Sequence, residues 1–350
     1  MVKILAILTL RNEAAFLLEW LAHHRAAGIT DFLVFSNDCQ DGTDAMLNRL
    51  DEMGLVTHVR NDGPYGKGGI QFTAYKLAEK HPLMEAADWV MTLDVDEFVN
   101  IHCGTHRITD LISALPEATA ITLTWRLFGN AGIVRYADTP VTDTFLRAAP
   151  VVMHWPWRAA MFKTLYRNDG TYTKLGVHRP RQPDPARVGQ ARWFDGEGRE
   201  LDRKFATGRV FSNYGQSNYA LAQLNHYALG AMESYVLKAA RGRAVHSDHM
   251  LDLDYWVERN FNTDMDRSIQ ALSQPMQAEL EWLKSDPDLS RLHDEAVAWR
   301  KTRFMELMLE EPYRALFGRL LTTPPSRPVS QDAARFLTQF ANLGRQARRD

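Results

Sequence analysis

The stretch "WVMTLDVDEFVN", Trp89 to Asn100, places Asp94, Asp96 and Glu97 within four positions at the end of an apolar run. Carboxylates crowded there repel one another and lose solvation. A cation or a set of hydrogen-bond donors must keep them ionised. Asp94 and Asp96 share one side of the strand if it stays extended. Their oxygens suit Mg²⁺ or Mn²⁺, whose remaining positions take water and phosphate oxygens. Solvated acids at a strand end are the plain alternative, because acidic triplets are common.

Other chemistry is sparser. "NHY" (225–227) and "KLGVHRP" (174–180) supply His226 and His178. A lone histidine is more often structural than a ligand. The chain has no GxxxxGK[ST] loop, no GxGxxG after its first strand and no GxSxG elbow. Those absences argue against a P-loop, dinucleotide redox chemistry and an α/β-hydrolase nucleophile. The two cysteines, Cys39 and Cys103, form no CxxC pair. A reducing, cytoplasmic setting is expected, without a disulfide framework or zinc knuckle.

The elements that must position the acids alternate in type. "KILAILTL" (3–10) is a continuous apolar run, typical of a strand buried on both faces. "RNEAAFLLEWLAHHRAAG" reads as a helix with Asn12 as a candidate cap, Phe16, Leu17, Trp20, Leu21 and His24 on one face, and Gly28 as its stop. "DFLVFSND" (31–38) is a second strand. A helix from Thr43 or Asp44 to Gly54, the short strand "LVTHV", a polar glycine-rich loop (60–69) and the helix "IQFTAYKLAEKH" follow. The acidic stretch supplies the fourth strand. This order predicts an α/β fold with a mostly parallel sheet flanked by helices. Ligands in such sheets sit beyond the carboxyl ends of the strands. Arg11, Asp38 and Asp94 all fall there.

From 105 to about 230 the pattern is mixed. "ATAITLTWRLFGN" is a strand, "VVMHWPWRAAMFKTLYR" is strand material interrupted by Pro156, and "HRPRQPDPARVGQARWFDGEGRE" looks like a surface excursion. After Gln216 the spacing is helical. "TTPPSRPVSQ" is a linker, and a basic helix is expected over about 331–349. A 350-residue chain with 45% hydrophobic residues is globular, and 41 Lys plus Arg against 43 Asp plus Glu leave no field that attracts nucleic acid. No segment is long and apolar enough to span a bilayer, which leaves peripheral membrane attachment open.

In order along the chain stand "TLRNEAAFLLEWLAHHRAAGITDFLVFSNDCQDGT", the Gln of "GIQFTAYKLA", "DWVMTLDVDEFV", "TWRLFGNAG", "VTDTF", "FKTLYR", "GVHRP" and "NHYALGAMESYVLKAARG". This set resembles the glycosyltransferase 2-like and family 92-type glycosyltransferases, over about residues 3–245. The resemblance implies a GT-A (Rossmann-like) domain over 1–245, with a nucleotide-sugar half (1–104) and an acceptor half (105–245). A helical C-terminal region, 246–350, falls outside it. It implies transfer from a nucleotide-diphosphate sugar, usually UDP-linked, to a glycan, lipid-linked sugar or other hydroxyl acceptor, with inversion and with Mn²⁺ or Mg²⁺ on the DxD motif.

Carried over by residue, Arg11, Asn12 and Glu13 line the nucleoside pocket, Asp38 meets base or ribose, and Gln71 stands nearby. Asp94 faces ribose or a metal-bound water, Asp96 the metal, and Glu97 orients the loop. His226, with His178 as rival, completes the metal site, and Lys238 and Arg241 reach the diphosphate. Asp143 matches the position of a general base. Trp125, Phe128 and Gly129, with Trp155 and Trp157 behind them, are candidates to stack an acceptor sugar. A nucleotidyltransferase is the rival enzyme class, although "TLRNEAAF" lacks its glycine- and basic-rich loop. A sugar-nucleotide- or glycan-binding protein without catalysis is the non-enzymatic rival.

Overall fold

The computed structural model describes residues 2–65, 68–241 and 252–346. Strands β1 (Ile4–Leu10), β2 (Asp31–Ser36), β3 (Thr57–Arg60) and β4 (Trp89–Leu93) pair in parallel, in the order β3-β2-β1-β4. Helices α1 (Ala14–Ala26), α2 (Thr43–Glu52), α3 (Gly69–Ala78) and α4 (Pro82–Ala86) connect them. The apolar run of β1 serves two cores. Ile4, Ala6 and Leu8 face the side where α1 packs, and Leu5 and Ile7 face Ala74 and Tyr75 of α3. That is the period-2 split of a strand covered on both faces.

After β4 the chain turns. The Glu97 N–H donates to the Asp94 carbonyl at 3.0 Å, and β5 (Glu97–Ile101) leaves in a new direction. Asp94 and Asp96 therefore do not share one side of an extended strand. Next come α5 (Ile108–Ala114), β6 (Ala120–Leu127), α6 (Val141–Thr144), β7 (Arg147–Ala148), β8 (Phe162–Arg167), β9 (Tyr172–Lys174), β10 (Arg181–Pro183), β11 (Trp193–Asp195), α7 (Arg203–Thr207), β12 (Ala222–His226) and α8 (Met232–Arg241). The sheet continues as β4-β8-β6-β12-β5. Only β8 and β5 run against the others along this path, and both begin where the others end. The carboxyl ends of β1, β2, β4, β6 and β12 and the starts of β5 and β8 thus gather on one edge.

Two readings of the middle change. Residues 222–226 form a strand between β6 and β5, not a helix. The three- and four-residue spacing there is overridden by burial between two partner strands. The supposed surface excursion contains β11, which pairs in parallel with the first half of β6, and Trp193 is buried there. The strand material before Met161 reduces to a short 3₁₀ turn over Trp157–Ala160.

The remaining described elements are α9 (Leu253–Val257), β13 (Asp264–Met265), α10 (Ser273–Lys284), α11 (Pro287–Leu307), α12 (Glu311–Thr322) and α13 (Gln331–Gln346). Met276, Leu283, Leu289, Leu292 and Ala296 of α10 and α11 join the same core as α1 and β1. The expected helical C-terminal region is present, and it shares the main core. The last residues of the basic helix, the segment after Arg241 and residues 66–67 of the glycine-rich loop lie outside the described residues. No helix among the described residues is long and apolar enough to cross a membrane.

α1 also closes the free edge of β5. Trp20 Nε1 donates to the Glu97 carbonyl at 2.9 Å and His23 Nε2 bonds the Val99 carbonyl at 2.8 Å. The Val99 N–H donates to His24 Nε2 at 3.3 Å, and His24 Nδ1 bonds the Trp20 carbonyl at 2.8 Å. Carbonyls only accept, so His23 carries its proton on Nε2 and His24 on Nδ1. Both rings are neutral. Burial pushes His23 down to about 4 and His24 well below its ordinary value. The "EWLAHH" segment thus satisfies a strand edge that would otherwise stand unpaired.

Candidate active site

Asp94 ends β4. Its carboxylate meets Lys163 Nζ at 2.9 Å and Gln71 Nε2 at 3.5 Å. Gln71 is itself held by donating to the Tyr75 hydroxyl at 2.9 Å. Lys163 is fully buried at the start of β8 and also lies 3.3 Å from Glu97. Burial opposes its charge, but Asp94 and Glu97 hold the ammonium above its ordinary value. Glu97, fully buried, accepts from the Asp94 N–H at 2.9 Å and from Trp125 Nε1 at 2.6 Å. Burial pushes its carboxyl up, and Lys163 pulls against that shift. Glu97 therefore orients the turn, tying β4 to β6 and β8.

Asp96 faces the other way. Its Oδ2 is 2.5 Å from Lys238 Nζ, which also donates to the Ala228 carbonyl at 2.8 Å. Burial disfavours the Asp96 anion, but Lys238 outweighs it and holds the carboxyl well below the usual range. His226 Nε2 stands 3.8 Å from Asp96 Oδ2, and its ring tilts against Trp125 at 4.3 Å between centroids. Burial pushes His226 down to about 3, so it is neutral at pH 7, and its Nδ1 has no hydrogen-bond partner among the described residues. Arg241, one turn beyond Lys238 on α8, pairs with Glu13 and donates to the Arg11 carbonyl at 2.7 Å.

These groups line two adjoining chambers. The larger, of about 530 Å³, opens at the strand ends and is bordered by Arg11, Asn37, Gln71, Asp94, Trp125, His178 and His226. The smaller, of about 290 Å³, lies between α1, α8 and α11 and is bordered by Asn12, Phe16, Leu237, Trp299 and Arg300. Arg11, Glu13, Asp96, Lys238 and Arg241 form the wall between them. Expected donor residues Arg11, Glu13, Gln71, Asp94, Lys238 and Arg241 are thus brought together, with Asp96, His226 and Trp125 beside them.

Other expected residues stand elsewhere. Asn12 lines only the smaller chamber and does not cap α1; its side chain accepts from the Gln40 N–H at 2.7 Å. The capping comes from α2's approach. Asp41 accepts from the Ala14 N–H at 2.9 Å and from the Thr43 N–H at 3.0 Å, and Thr43 Oγ1 accepts from the Glu13 N–H at 2.9 Å. At the end of β2 it is Asn37 that borders the chamber, while Asp38 is exposed just beyond and accepts from Tyr65 at 3.1 Å. His178 borders the larger chamber, but its Nδ1 is bonded to the Phe162 carbonyl at 3.0 Å.

Asp143 is exposed on α6, meets Gln270 at 3.4 Å and borders neither chamber. The buried Glu19 explains this. It accepts from the Val141 and Thr142 N–H groups at 2.9 and 3.1 Å, which fixes α6 with Asp143 outward. Phe128 is 1% exposed and packs on Tyr227 at 4.7 Å, so it is core and not a stacking platform. Gly129 lets the chain pass close to Phe261 and Asn262, since a Cβ there would come within 2.4 Å of the Phe261 carbonyl. Trp155 and Trp157 border neither chamber.

Sequence reasoning passed over Lys163, Asp41, Asn37 and Arg300. Lys163 had a signal, a single lysine inside the otherwise apolar "MFKTLY" run. Arg300 had one too, since it occupies a position on the buried stripe Ala296, Val297, Phe304 and Leu307 of α11.

Comparison with known proteins bears on this arrangement. A family 92 glycosyltransferase of Oryza sativa subsp. japonica is 27% identical over 142 residues, 39% of this chain and 23% of that protein. One of Ricinus communis is 29% identical over 97 residues, 27% of this chain and 16% of that protein. The chain therefore spans less than a quarter of the length of these relatives. Among solved structures, S. aureus TarS 1-349 with UDP-GlcNAc and with UDP is 14% identical, with TM-scores of 0.33 and 0.32, covering 90% of this chain and 84% and 92% of those chains. That likeness is too remote to carry further argument. The model for glycosyltransferase family 92 matches residues 5–192. Arg11, Gln71, the Asp94–Glu97 turn, Trp125 and Lys163 all fall within the matched stretch, and the chain belongs to glycosyltransferase family 92.

Proposed function

We propose that this chain transfers a sugar from a nucleotide-diphosphate donor, UDP-linked, to a hydroxyl of a glycan or lipid-linked acceptor, with inversion at the anomeric carbon. The observation that carries this reading is the wall of Asp96, Lys238, Arg241 and Arg11 beside Asp94 and Gln71, gathered at the carboxyl ends of parallel strands. Nucleotides bind at such ends. Lys238 and Arg241 are the cations to meet the diphosphate. Their charge stabilises the leaving group more as the glycosidic bond breaks than before. Asp94 and Gln71 are the polar groups to take ribose hydroxyls.

Asp96 and His226, 3.8 Å apart, are the residues that would hold a divalent cation, Mn²⁺ or Mg²⁺, with Asp96 Oδ2 giving up its contact with Lys238 to do so. His226 is neutral, as a ligand must be. Among the described residues no cluster of three or more acidic, His or Cys side chains is preassembled, and Asp94 is engaged by Lys163. Such an ion therefore shares its shell with donor oxygens and water, the habit of Mg²⁺. When bound, it neutralises charge on the leaving diphosphate.

Inversion is carried over from the family resemblance, since Glu13, Asp94 and Asp96 are each ion-paired and none stands free as nucleophile or base. The test is UDP-sugar turnover with Mn²⁺, with product configuration read by NMR. Transfer with inversion is the expected result. No turnover across a panel of UDP-sugars and hydroxyl acceptors, or a product of retained configuration, would overturn the corresponding part of the proposal.

A further inference from the structure

The smaller chamber holds a cation that has no ion-pair partner among the described residues. Arg300, on α11, is 5% exposed, and among the described residues it makes no ion pair and no hydrogen bond; its Nε is buried without a partner. Its guanidinium lies 4.4 Å from the Phe16 ring centroid and 5.0 Å from that of Tyr136. Both rings pack against the guanidinium, and Arg300 borders the chamber. The other charges around the chamber are largely matched. Arg241 pairs with Glu13, Lys238 with Asp96 and Arg303 with Glu306. Arg11 adds to the surplus, since its Nε is also buried without a partner. A buried cation without a counter-charge is costly unless an anion completes it. Phe16, Leu237, Trp299 and Leu307 give the lining an apolar side, with Asn12, Gln40 and Ser234 as uncharged polar members.

From this we infer that the smaller chamber is a binding site for an oxyanion, phosphate or carboxylate, joined to an apolar body, and that Arg300 is its central ligand. The occupant is the acceptor. The chamber meets the donor cleft across the shared wall of Arg11, Glu13, Val95, Asp96, Lys238 and Arg241. An acceptor anchored at Arg300 therefore presents its other end to the donor. Assigning the occupant as acceptor rests on the proposed transferase reading, whereas the anion site itself does not. α11 lies outside the stretch matched by the family, so this specificity is supplied by the C-terminal helices.

The test is titration calorimetry on the full chain with phenyl phosphate, benzoate and inorganic phosphate, and separately with a UDP-sugar. The variants are Arg300→Met and, in case that one does not fold, Arg303→Gln at a half-exposed position. Phenyl phosphate or benzoate should bind the wild type more tightly than inorganic phosphate does. The stronger of the two identifies the anion. Arg300→Met should weaken that binding at least tenfold and Arg303→Gln severalfold, with UDP-sugar affinity unchanged in both. The anion site is overturned if neither organic probe binds the wild type, or if both variants bind as the wild type does. If the probes behave as expected while no UDP-sugar binds, the site stands and the transferase reading falls with the acceptor assignment. In a transfer assay the better probe should compete with the acceptor and not with the donor. Competition with the donor alone would overturn the acceptor assignment.

Discussion

Between pH 7.5 and 5.0 three buried histidines should draw stability from the fold, and replacing one of them isolates its share. His23, His24 and His226 are neutral because burial lowers them, His23 to about 4 and His226 to about 3. In the unfolded chain each titrates near 6.5. Between about pH 6.5 and the lowered folded values, the unfolded chain binds protons that the folded chain does not, so stability falls as pH falls. Each histidine then contributes a loss of about 2 kcal/mol at pH 5.0, as does His178, lowered to about 4. Glu97 and Glu19, both raised by burial, work the other way, because the folded chain there keeps protons that the unfolded chain has lost. For 350 residues, an unfolding entropy of roughly 0.7 kcal/mol/K makes one histidine's share about 3 °C of Tm.

Scanning calorimetry at the two pH values reads the difference. His24→Gln keeps an acceptor for the Val99 N–H and removes one titration, so its Tm should fall between the two pH values by about 3 °C less than that of the wild type. An equal change in both proteins would refute the reasoning. So would histidine NMR signals of these residues titrating near 6.5. Function should follow, since His23, His24 and Trp20 hold the β5 edge from which Glu97 reaches Asp94 and Trp125.

Further outcomes test the supports of the site. Lys163→Met leaves Asp94 and the fully buried Glu97 without their shared counter-charge and should cost about 3–5 kcal/mol in urea unfolding at pH 7; a loss below about 1 kcal/mol would show that the Trp125 and Asp94 N–H donors suffice. Asp41→Ala removes acceptors from the first turns of both α1 and α2, and a loss of about 2–3 kcal/mol is expected by the same method. Asp143→Asn, at an exposed side chain outside both chambers, should keep wild-type transfer, and a large fall in turnover with unchanged Tm would return that residue to the chemistry.

The first half of the molecule is legible in its residues because each element there is internally consistent. β1 is apolar throughout, α1 ends at Gly28 with φ +94, and β4 ends at the acids. The second half obeys tertiary context. "AQLNH" carries helical spacing yet is fixed as a strand by partners far away in sequence, Trp125–Leu127 and Glu97–Ile101. β11 is three residues inside a proline- and arginine-rich stretch, and only Trp193 hints at burial. The acids were found, but not what each one holds. Lys163 and Lys238 sit 69 and 142 residues from Asp94 and Asp96, and no local pattern pairs them. Asp143 was misplaced because its orientation is set by Glu19, 122 residues before the α6 backbone it grips.

The central claim is that the strand-end cleft binds a nucleotide-diphosphate sugar through Lys238 and the Asp96 wall. Titration calorimetry of UDP-sugars into the wild type and Lys238→Gln, with Mn²⁺ present, tests it most directly. The account predicts saturable binding to the wild type and at least tenfold weaker binding to Lys238→Gln, equivalent to about 1.4 kcal/mol or more. Absence of binding by any UDP-sugar, or equal affinity in both proteins, would contradict it.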